Sequence, residues 1–238
     1  MITVEQIKKK VADSKEEALQ CLVEAIQSPS PTGSELPMAL TMKKWLDKLG
    51  IQVDTYEYQK DRPNFIAEWK GTQEGKTFLF NGHMDVFPAT ETEDPSYNAW
   101  SGEIKDGFVY GRGTSDDKGP VIASLLAMKA IRDAGIPLKR KIRLILGCDE
   151  ESNWEGMAYY TADADMPRIG FSPDASFPVI NTEKGMLHFQ LKAEAAKTGL
   201  QVKHWMTGER VNVIPGHAEM LLEGGEALAE QVRAYAKE

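Results

Sequence analysis

The chain has 238 residues, of which 42% are hydrophobic, 27% charged and 8% aromatic. This composition is typical of a globular protein with a core of its own, and it excludes a wholly disordered chain. The net charge of −8 argues against nucleic acid or an anionic membrane surface as the main partner. No apolar run approaches the roughly 20 residues that cross a bilayer, so no membrane partner is predicted.

The first 50 residues predict two helices. Thr3 and Gln6 have the spacing of a capping box, which predicts a helix from there to about Ile26. The Ser-Pro-Ser-Pro-Thr-Gly segment at 28–33 ends it. Gly50 is placed to cap the second helix, whose apolar residues recur at helical spacing. These apolar residues are Met38, Met42, Trp45, Leu46 and Leu49.

The next segments predict strands. Strands are predicted at 51–56 and 64–69, and 77–80 is a short apolar run suited to a strand buried on both faces of a sheet. Residues 88–98 are acidic, polar and contain proline, which predicts a surface loop. The dipeptide Asp106-Gly107 predicts a turn between two short strands.

A strongly helical segment at 121–134 follows, and Gly135 and Pro137 close it. An apolar core strand is predicted at 141–148, and a short strand at 169–171. Strands therefore alternate with helices along this part of the chain, which is the pattern of an α/β fold.

We predict two domains. Residues 1–184 form an α/β domain with a mixed, largely parallel sheet flanked by helices. Period-two alternation at 186–193 and again at 218–222 predicts antiparallel strands, and 226–237 predicts a helix. These elements predict a smaller α+β domain at 185–238.

The two cysteines, Cys21 and Cys148, are far apart and have no CxxC spacing. They predict neither a disulfide framework nor a cysteine metal site, and they favour a reducing compartment. The N-terminal sequence becomes charged at once and contains no secretory apolar region. A cytoplasmic location is therefore predicted.

Four polar clusters stand where predicted strands end or a helix begins. In open α/β sheets the ligand crevice lies at the carboxyl ends of the strands, so this placement is informative. Each cluster alone has a structural alternative: a histidine with ordinary hydrogen bonds, aspartates at a helix N-cap, a solvated acidic loop, or a Pro-Asp turn. The clusters are Gly82–Val86, Tyr110–Gly119, Gly147–Glu151 and Ser172–Asp174.

Together the clusters favour a metal site. His83 and several carboxylates form an oxygen-rich set of donors that can bridge two divalent ions. Two metal ions about 4 Å apart can share one carboxylate and activate a water held between them. A neighbouring free carboxylate can take the proton of that water and deliver it to a leaving amine. This is the chemistry of amide hydrolysis.

The motifs resemble those of the dinuclear-zinc peptidase family that includes bacterial dipeptidases, carnosinases, aminoacylases, carboxypeptidase G and succinyl-diaminopimelate desuccinylase. The resemblance runs from the N-terminus to about Glu223. Its core is the ordered set Gly82–Val86, Gly111–Pro120 and Asp149–Glu151. Three further segments look most like the bacterial dipeptidase branch, namely Phe171–Ala175, Glu183–Gly185 and Val211–Pro215.

The resemblance implies a fold and a metal site. The first domain would be a zinc-peptidase-like catalytic domain and the second the beginning of a lid domain. Two Zn²⁺ ions are expected, with Co²⁺ or Mn²⁺ as alternatives. His83 and Asp174 would bind one ion and Glu151 the other, while Asp116 would bridge them. The peptide bond after Asp116 is cis in this family.

The resemblance also implies an activity. The substrates would be dipeptides or short peptides with a free N-terminus. Glu150 would be the general base that activates the attacking water, and Asp85 would orient His83. Asn212 would lie in the lid domain near the substrate.

In this family the chain completes the lid domain and then returns to the catalytic sheet, where it supplies a histidine to the second metal site. We therefore expect this chain to be an N-terminal half that ends inside the lid, and to lack part or all of the activity by itself. The expected partners are a complementary C-terminal half or a second copy of the chain. Two alternatives stay open: an N-acyl amino acid amidase or desuccinylase of the same family, and a non-catalytic metal-binding fragment or subunit.

Overall fold

A computed structural model of the protein describes residues 3–89, 98–176, 178–185, 187, 189–192, 201–208, 214–223 and 226–235. The chain separates into two compact units, Met1–Ile180 and Asn181–Glu238, which are described separately. The domain boundary between residues 184 and 185 stays a prediction. In the part of the chain that the structure describes, no helix has the length and apolar character to span a bilayer.

The helices of the first unit differ from the predicted ones at two places. The predicted capping box is confirmed, because Thr3 and Gln6 exchange side-chain and backbone hydrogen bonds. The single helix expected up to Ile26 is two helices, because the backbone leaves helical geometry at Ser14, whose hydroxyl donates to the carbonyl of Lys10. A further helix, α5, was not predicted. The helices are α1 (Val4–Asp13), α2 (Lys15–Ile26), α3 (Leu36–Lys48), α4 (Lys118–Asp133) and α5 (Glu155–Asp163).

The strands of the first unit form one mixed sheet and one hairpin. The sheet has the order β1-β2-β6-β3-β7, in which β3 is parallel to both β6 and β7 while β2 is antiparallel to both β1 and β6. The hairpin β4-β5 turns at Asp106 and Gly107, as predicted, and both residues have positive φ. The strands are β1 (Asp54–Glu57), β2 (Pro63–Trp69), β3 (Thr77–His83), β4 (Glu103–Lys105), β5 (Phe108–Tyr110), β6 (Lys141–Gly147) and β7 (Gly170–Phe171).

Apolar side chains cover both faces of the sheet, and the central strand β6 shows why. Leu144 and Leu146 belong to a large core with residues of α2, α3 and α4, including the fully buried Trp45. Ile145 points to the other face and packs in a smaller cluster with Ile66 and with Tyr160 of α5. A strand buried on both faces needs a continuous apolar sequence rather than an alternating one, and Leu144, Ile145 and Leu146 provide it in the second half of β6.

The second unit contains a strand pair, β8 (Gln201–Thr207) and β9 (Ala218–Glu223), followed by helix α6 (Glu226–Tyr235). The predictions of a strand at 218–222 and of a helix starting at Glu226 are confirmed. The prediction of a strand at 186–193 is wrong for the described residues of that stretch, which form none. Leu187, Phe189 and Leu191 are more than 70% exposed, so the alternating pattern has no apolar surface to pack against.

Candidate metal centre

The sheet brings three of the predicted polar clusters to one edge. Strands β6, β3 and β7 are parallel neighbours, so their carboxyl ends meet on the same side of the sheet. His83 is the last residue of β3 and lies opposite Gly147 of β6. Glu150 and Glu151 follow β6, and Asp174 follows β7. The fourth cluster supplies Asp116 from the loop that enters α4.

Carboxylate oxygens surround one nitrogen of His83. Its Nε2 atom lies 3.1 Å from Asp116 Oδ1, 3.5 Å from Asp174 Oδ2 and 3.9 Å from Glu150 Oε2. The same atom is buried and has no hydrogen-bond partner among the described residues. A buried nitrogen without a partner is costly unless another group satisfies it, and a metal ion is such a group.

Two groups of donors around this nitrogen could hold a metal ion. The first contains His83, Asp116 and Glu151, and the second contains His83, Glu150 and Asp174, each with ligand atoms within 4.8 Å of one another. One imidazole nitrogen with several carboxylate oxygens suits Zn²⁺, Co²⁺ or Mn²⁺. The residues predicted as metal ligands therefore lie together, while their division between two ions stays a prediction.

The electrostatics of the cluster favour a cation. Burial by itself would lower the pKa of His83, but the close carboxylates of Asp116, Asp174 and Asp85 outweigh burial and raise it. Burial raises the pKa of Glu151 to about 7, and the nearby Asp116 carboxylate adds to the shift. Burial and the neighbouring carboxylates also raise the pKa of Glu150. These shifts reflect crowded negative charge, which a divalent cation would neutralise.

Asp85 contacts both His83 and the acidic loop Asp149–Glu151 that follows β6. Its backbone carbonyl lies 2.9 Å from His83 Nδ1, whereas its carboxylate Oδ1 lies 3.6 Å away. The fully buried carboxylate accepts hydrogen bonds from the backbone N–H groups of Glu150 and Glu151, at 3.1 and 3.2 Å. It also accepts one from the Thr32 hydroxyl, at 2.9 Å. Asp85 therefore joins His83 to Glu150 and Glu151, here called the paired glutamates, in one hydrogen-bond network.

The loop before α4 has the backbone that the resemblance implies. The peptide bond between Asp116 and Asp117 is cis, which confirms that expectation. Asp117 occupies the N-cap position of α4, but its side chain makes no capping hydrogen bond. Its carboxylate instead accepts a bond from the backbone N–H of His83, at 3.2 Å. Asp116 is thereby left as the exposed member of the pair, with its carboxylate near Nε2.

A cavity of about 240 Å³ opens beside this cluster. Two of its lining residues, Asp116 and Glu151, also belong to the first donor group. The rest of the lining mixes an aromatic ring, a guanidinium and hydroxyl groups, which gives room for a small polar ligand. These lining residues include Phe87, Arg112, Thr114 and Ser115.

The structure also reveals a buried ionic network that sequence reasoning missed. Arg62 donates hydrogen bonds to Glu35 and to Asp149, the residue before Glu150 and Glu151. These partners are 27 and 87 residues away from Arg62 in the chain, so no local motif could have indicated them. Asn212, predicted to contact substrate, lies outside the described residues.

Comparisons with known proteins agree with the site and the fold. The model of peptidase family M20/M25/M40 matches residues 79–238. The putative dipeptidase YtjP of Bacillus subtilis is 39% identical over 148 residues, which are 60% of this chain and 31% of that protein. The beta-Ala-Xaa dipeptidase of Lactobacillus delbrueckii subsp. lactis is 40% identical over 180 residues, 74% of this chain and 36% of that protein. The chain thus spans about a third of the length of these relatives.

Two solved structures share the fold. Human carnosine dipeptidase 1 superposes with a TM-score of 0.53 and 26% identity, over 64% of this chain and 36% of that one. An M20 family metallo-carboxypeptidase from Sulfolobus solfataricus has a TM-score of 0.50 and 29% identity, over 57% of this chain and 31% of that one. The predicted fold class and the family resemblance are both confirmed.

Proposed function

Because this chain belongs to peptidase family M20/M25/M40, we propose that it carries the catalytic carboxylates of a metal-dependent dipeptidase. The substrates would be dipeptides or short peptides with a free N-terminus, in line with the dipeptidases among its relatives. The observation that supports this most directly is the buried, unpartnered Nε2 of His83, with three carboxylates within 3.9 Å of it.

The ligands of two Zn²⁺ ions, or of Co²⁺ or Mn²⁺, would come from the strand-end clusters. His83 and Asp174 would bind one ion, Glu151 would bind the other, and Asp116 would lie between them. Bound metal would supply Lewis-acid polarisation of the scissile carbonyl and a water of lowered pKa. The carbonyl of Asp85 would hold the His83 ring by accepting a hydrogen bond from Nδ1–H, which leaves Nε2 to face the metal.

Glu150 would act as the general base. Its carboxylate is part-buried, and burial raises its pKa from the ordinary value toward the working pH. It would take a proton from the attacking water as the oxygen adds to the scissile carbonyl. It would then return that proton to the amine nitrogen as the carbon–nitrogen bond breaks. The net reaction consumes one water and yields two amino acids from a dipeptide.

Other parts of the proposal rest on the resemblance alone. Asn212 would contact the substrate from the smaller domain. A complementary C-terminal half or a second copy of the chain would complete the second metal site. The location would be cytoplasmic, a prediction that comes from the two cysteines and the reducing compartment they favour rather than from the resemblance.

Metal stoichiometry and turnover test this proposal. After dialysis against dilute zinc, we expect elemental analysis to find about one tightly held Zn²⁺ per wild-type chain and none in His83→Ala. With Zn²⁺, Co²⁺ or Mn²⁺ present, Glu150→Gln should bind metal like the wild type but lose dipeptide turnover, because an amide cannot accept the proton. Glu155→Gln, on the exposed first turn of α5, is the matched control and should change neither quantity.

The outcomes separate the remaining functions. No zinc binding by a folded wild-type chain would refute the metal centre. Two zinc ions per chain would show that a further ligand is available to the second site. Zinc binding without any turnover would favour a non-catalytic metal-binding fragment or subunit. Turnover of N-acyl amino acids in preference to dipeptides would favour an amidase or desuccinylase.

A further inference from the structure

Arg62 binds two buried carboxylates at once. Its side chain is only 10% exposed, and those of Glu35 and Asp149 are 0% and 5% exposed. Arg62 Nε donates to Glu35 Oε2 at 2.8 Å, and Nη2 donates both to Glu35 Oε1 and to Asp149 Oδ1, the latter at 2.8 Å. A planar guanidinium can serve two acceptors in this way, whereas a lysine ammonium cannot reproduce the fork.

Asp149 organises the turn that carries the paired glutamates. It has a φ of 72°, in the left-handed region that a residue other than glycine seldom adopts. Its carboxylate accepts hydrogen bonds from the Ser152 hydroxyl at 2.6 Å and from the Glu155 N–H at 2.9 Å. Its carbonyl accepts one from the Trp154 N–H at 2.7 Å. The conformation of this turn therefore depends on where the Asp149 side chain is held.

A second path leads from Glu35 back to the same turn. Glu35 Oε1 accepts a hydrogen bond from the Gly33 N–H at 3.0 Å. The neighbouring Thr32 hydroxyl donates to Asp85, whose carboxylate accepts the backbone N–H groups of the paired glutamates. Hydrogen bonds and short pieces of chain thus form a closed ring around the backbone of the paired glutamates. The ring runs through Arg62, Asp149, Glu150, Glu151, Asp85, Thr32, Gly33 and Glu35.

We propose that Arg62 is a positioning residue, which holds Glu150 and Glu151 in their orientation toward His83 by clamping Asp149 to Glu35. The inference rests on the proposed metal-dependent function, since it concerns the placement of a metal ligand and of the general base. Without the guanidinium, Glu35 and Asp149 would be two buried negative charges with no cation between them, and they would repel. The turn would then keep its internal hydrogen bonds and the two to Asp85, but it would lose its link to Glu35.

The alternative is that Arg62 only stabilises the fold, and Arg143 provides a matched control. The Arg143 side chain is 12% exposed, donates to the carboxylate of Glu68 at 2.7 Å and donates to the carbonyl of Asp165 at 2.8 Å. It lies on β6, away from the acidic turn. Arg62→Met and Arg143→Met therefore remove the same group from similarly buried sites, and only the first touches the ring.

The test measures amide hydrogen exchange and zinc affinity in the 238-residue chain. In Arg62→Met we expect the N–H groups of Glu150 and Glu151 to exchange at least about tenfold faster relative to those of helix α3. We also expect Zn²⁺, titrated against a chelator, to bind about 10- to 100-fold more weakly, the usual cost of losing an outer-shell contact. Arg143→Met should change neither ratio. Arg62→Lys keeps the positive charge but cannot donate to both carboxylates as the guanidinium does, so we expect the same changes to a smaller extent. If Arg62→Met does not fold, Arg62→Lys is measured in its place.

Two results would overturn the proposal. One is faster exchange spread evenly over the first unit, as expected from a loss of global stability alone. The other is unchanged zinc affinity in a folded Arg62 variant. Failure of the wild type to bind zinc would refute the proposed function instead, and the exchange measurement would still decide whether Arg62 holds the turn.

Discussion

The carboxylate of Asp85 accepts more hydrogen bonds than a histidine-orienting residue needs. Because its own carbonyl lies nearest to His83 Nδ1, both side-chain oxygens are available to the acidic turn and to Thr32. Burial would raise the pKa of Asp85, but the nearby His83 ring and the hydrogen bonds from the two backbone amides outweigh burial and lower it. At the residue scale, Asp85 therefore contributes to the placement of Glu150 and Glu151 as well as to that of the imidazole.

Asp85→Asn tests this placement. An amide has one acceptor oxygen, so at least one of the N–H groups of Glu150 and Glu151 must face an NH₂ group and lose its partner. We expect the free energy of unfolding, measured by urea denaturation, to fall by about 1–3 kcal/mol. Asp47→Asn, the same change on the exposed face of α3, is the control and should have little effect. Equal stability of the two variants would show that the bonds to Asp85 do not support the turn.

At the scale of elements, a cross-strand ion cluster joins β2 to β6. Glu68 lies opposite Arg143 in the register, and its carboxylate accepts hydrogen bonds from Arg143 at 2.7 Å and from Lys141 at 3.0 Å. Burial would raise the pKa of Glu68, but these two cations outweigh burial and lower it below its ordinary value. The folded chain therefore releases this proton more readily than the unfolded chain does.

The lowered pKa of Glu68 predicts an acid-dependent contribution to stability. The contribution is fully present above the unfolded pKa of about 4.5, and it is lost as the pH falls through the lower folded pKa. Glu68→Gln should reduce the free energy of unfolding by about 0.5 kcal/mol near neutral pH, a modest value because the pair is partly exposed. Urea denaturation at several pH values should show the difference from the wild type vanishing in acid. A difference that is constant with pH would contradict this.

At the scale of the whole molecule, every predicted site residue within the described part of the chain belongs to the unit Met1–Ile180. Its buried and part-buried carboxylates around His83 are a charge excess that a bound cation would relieve. Metal binding and stability of this unit should therefore be coupled, because a ligand that binds only the folded state stabilises it.

A chain that ends at Ile180 tests this coupling. We expect it to bind Zn²⁺ as tightly as the 238-residue chain. At a zinc concentration of about 100 Kd the stabilisation is about 2.7 kcal/mol, a rise in Tm on the order of 5–10 °C. Thermal unfolding with zinc and then with a chelator measures it, and His83→Ala should show no rise. A folded shortened chain without zinc affinity would mean that residues 181–238 supply a ligand.

Features with local causes were determined by the sequence alone. The capping box at Thr3 depends on a partner three residues away, and the β4-β5 turn depends on two adjacent residues with positive φ. The apolar residues at 141–148 predicted a core strand, and β6 lies there with Leu144 and Leu146 in one cluster and Ile145 in the other. The motifs at the strand ends resemble those of the family that the chain belongs to. Their place in the sequence predicted one site, because parallel strands bring their carboxyl ends to the same edge of a sheet.

Features with distant causes were decided only by the tertiary structure. Helix α5 has a weak apolar pattern, and its buried Tyr160 packs against Ile66 and Ile145. The alternating segment near Leu187 has the sequence pattern of a strand, but its described residues are exposed and form no strand. The partners of Arg62 lie 27 and 87 residues away in the chain. A buried charge needs a partner of opposite charge, but only the fold determines which residue lies beside it. No local sequence pattern could therefore have predicted these ion pairs.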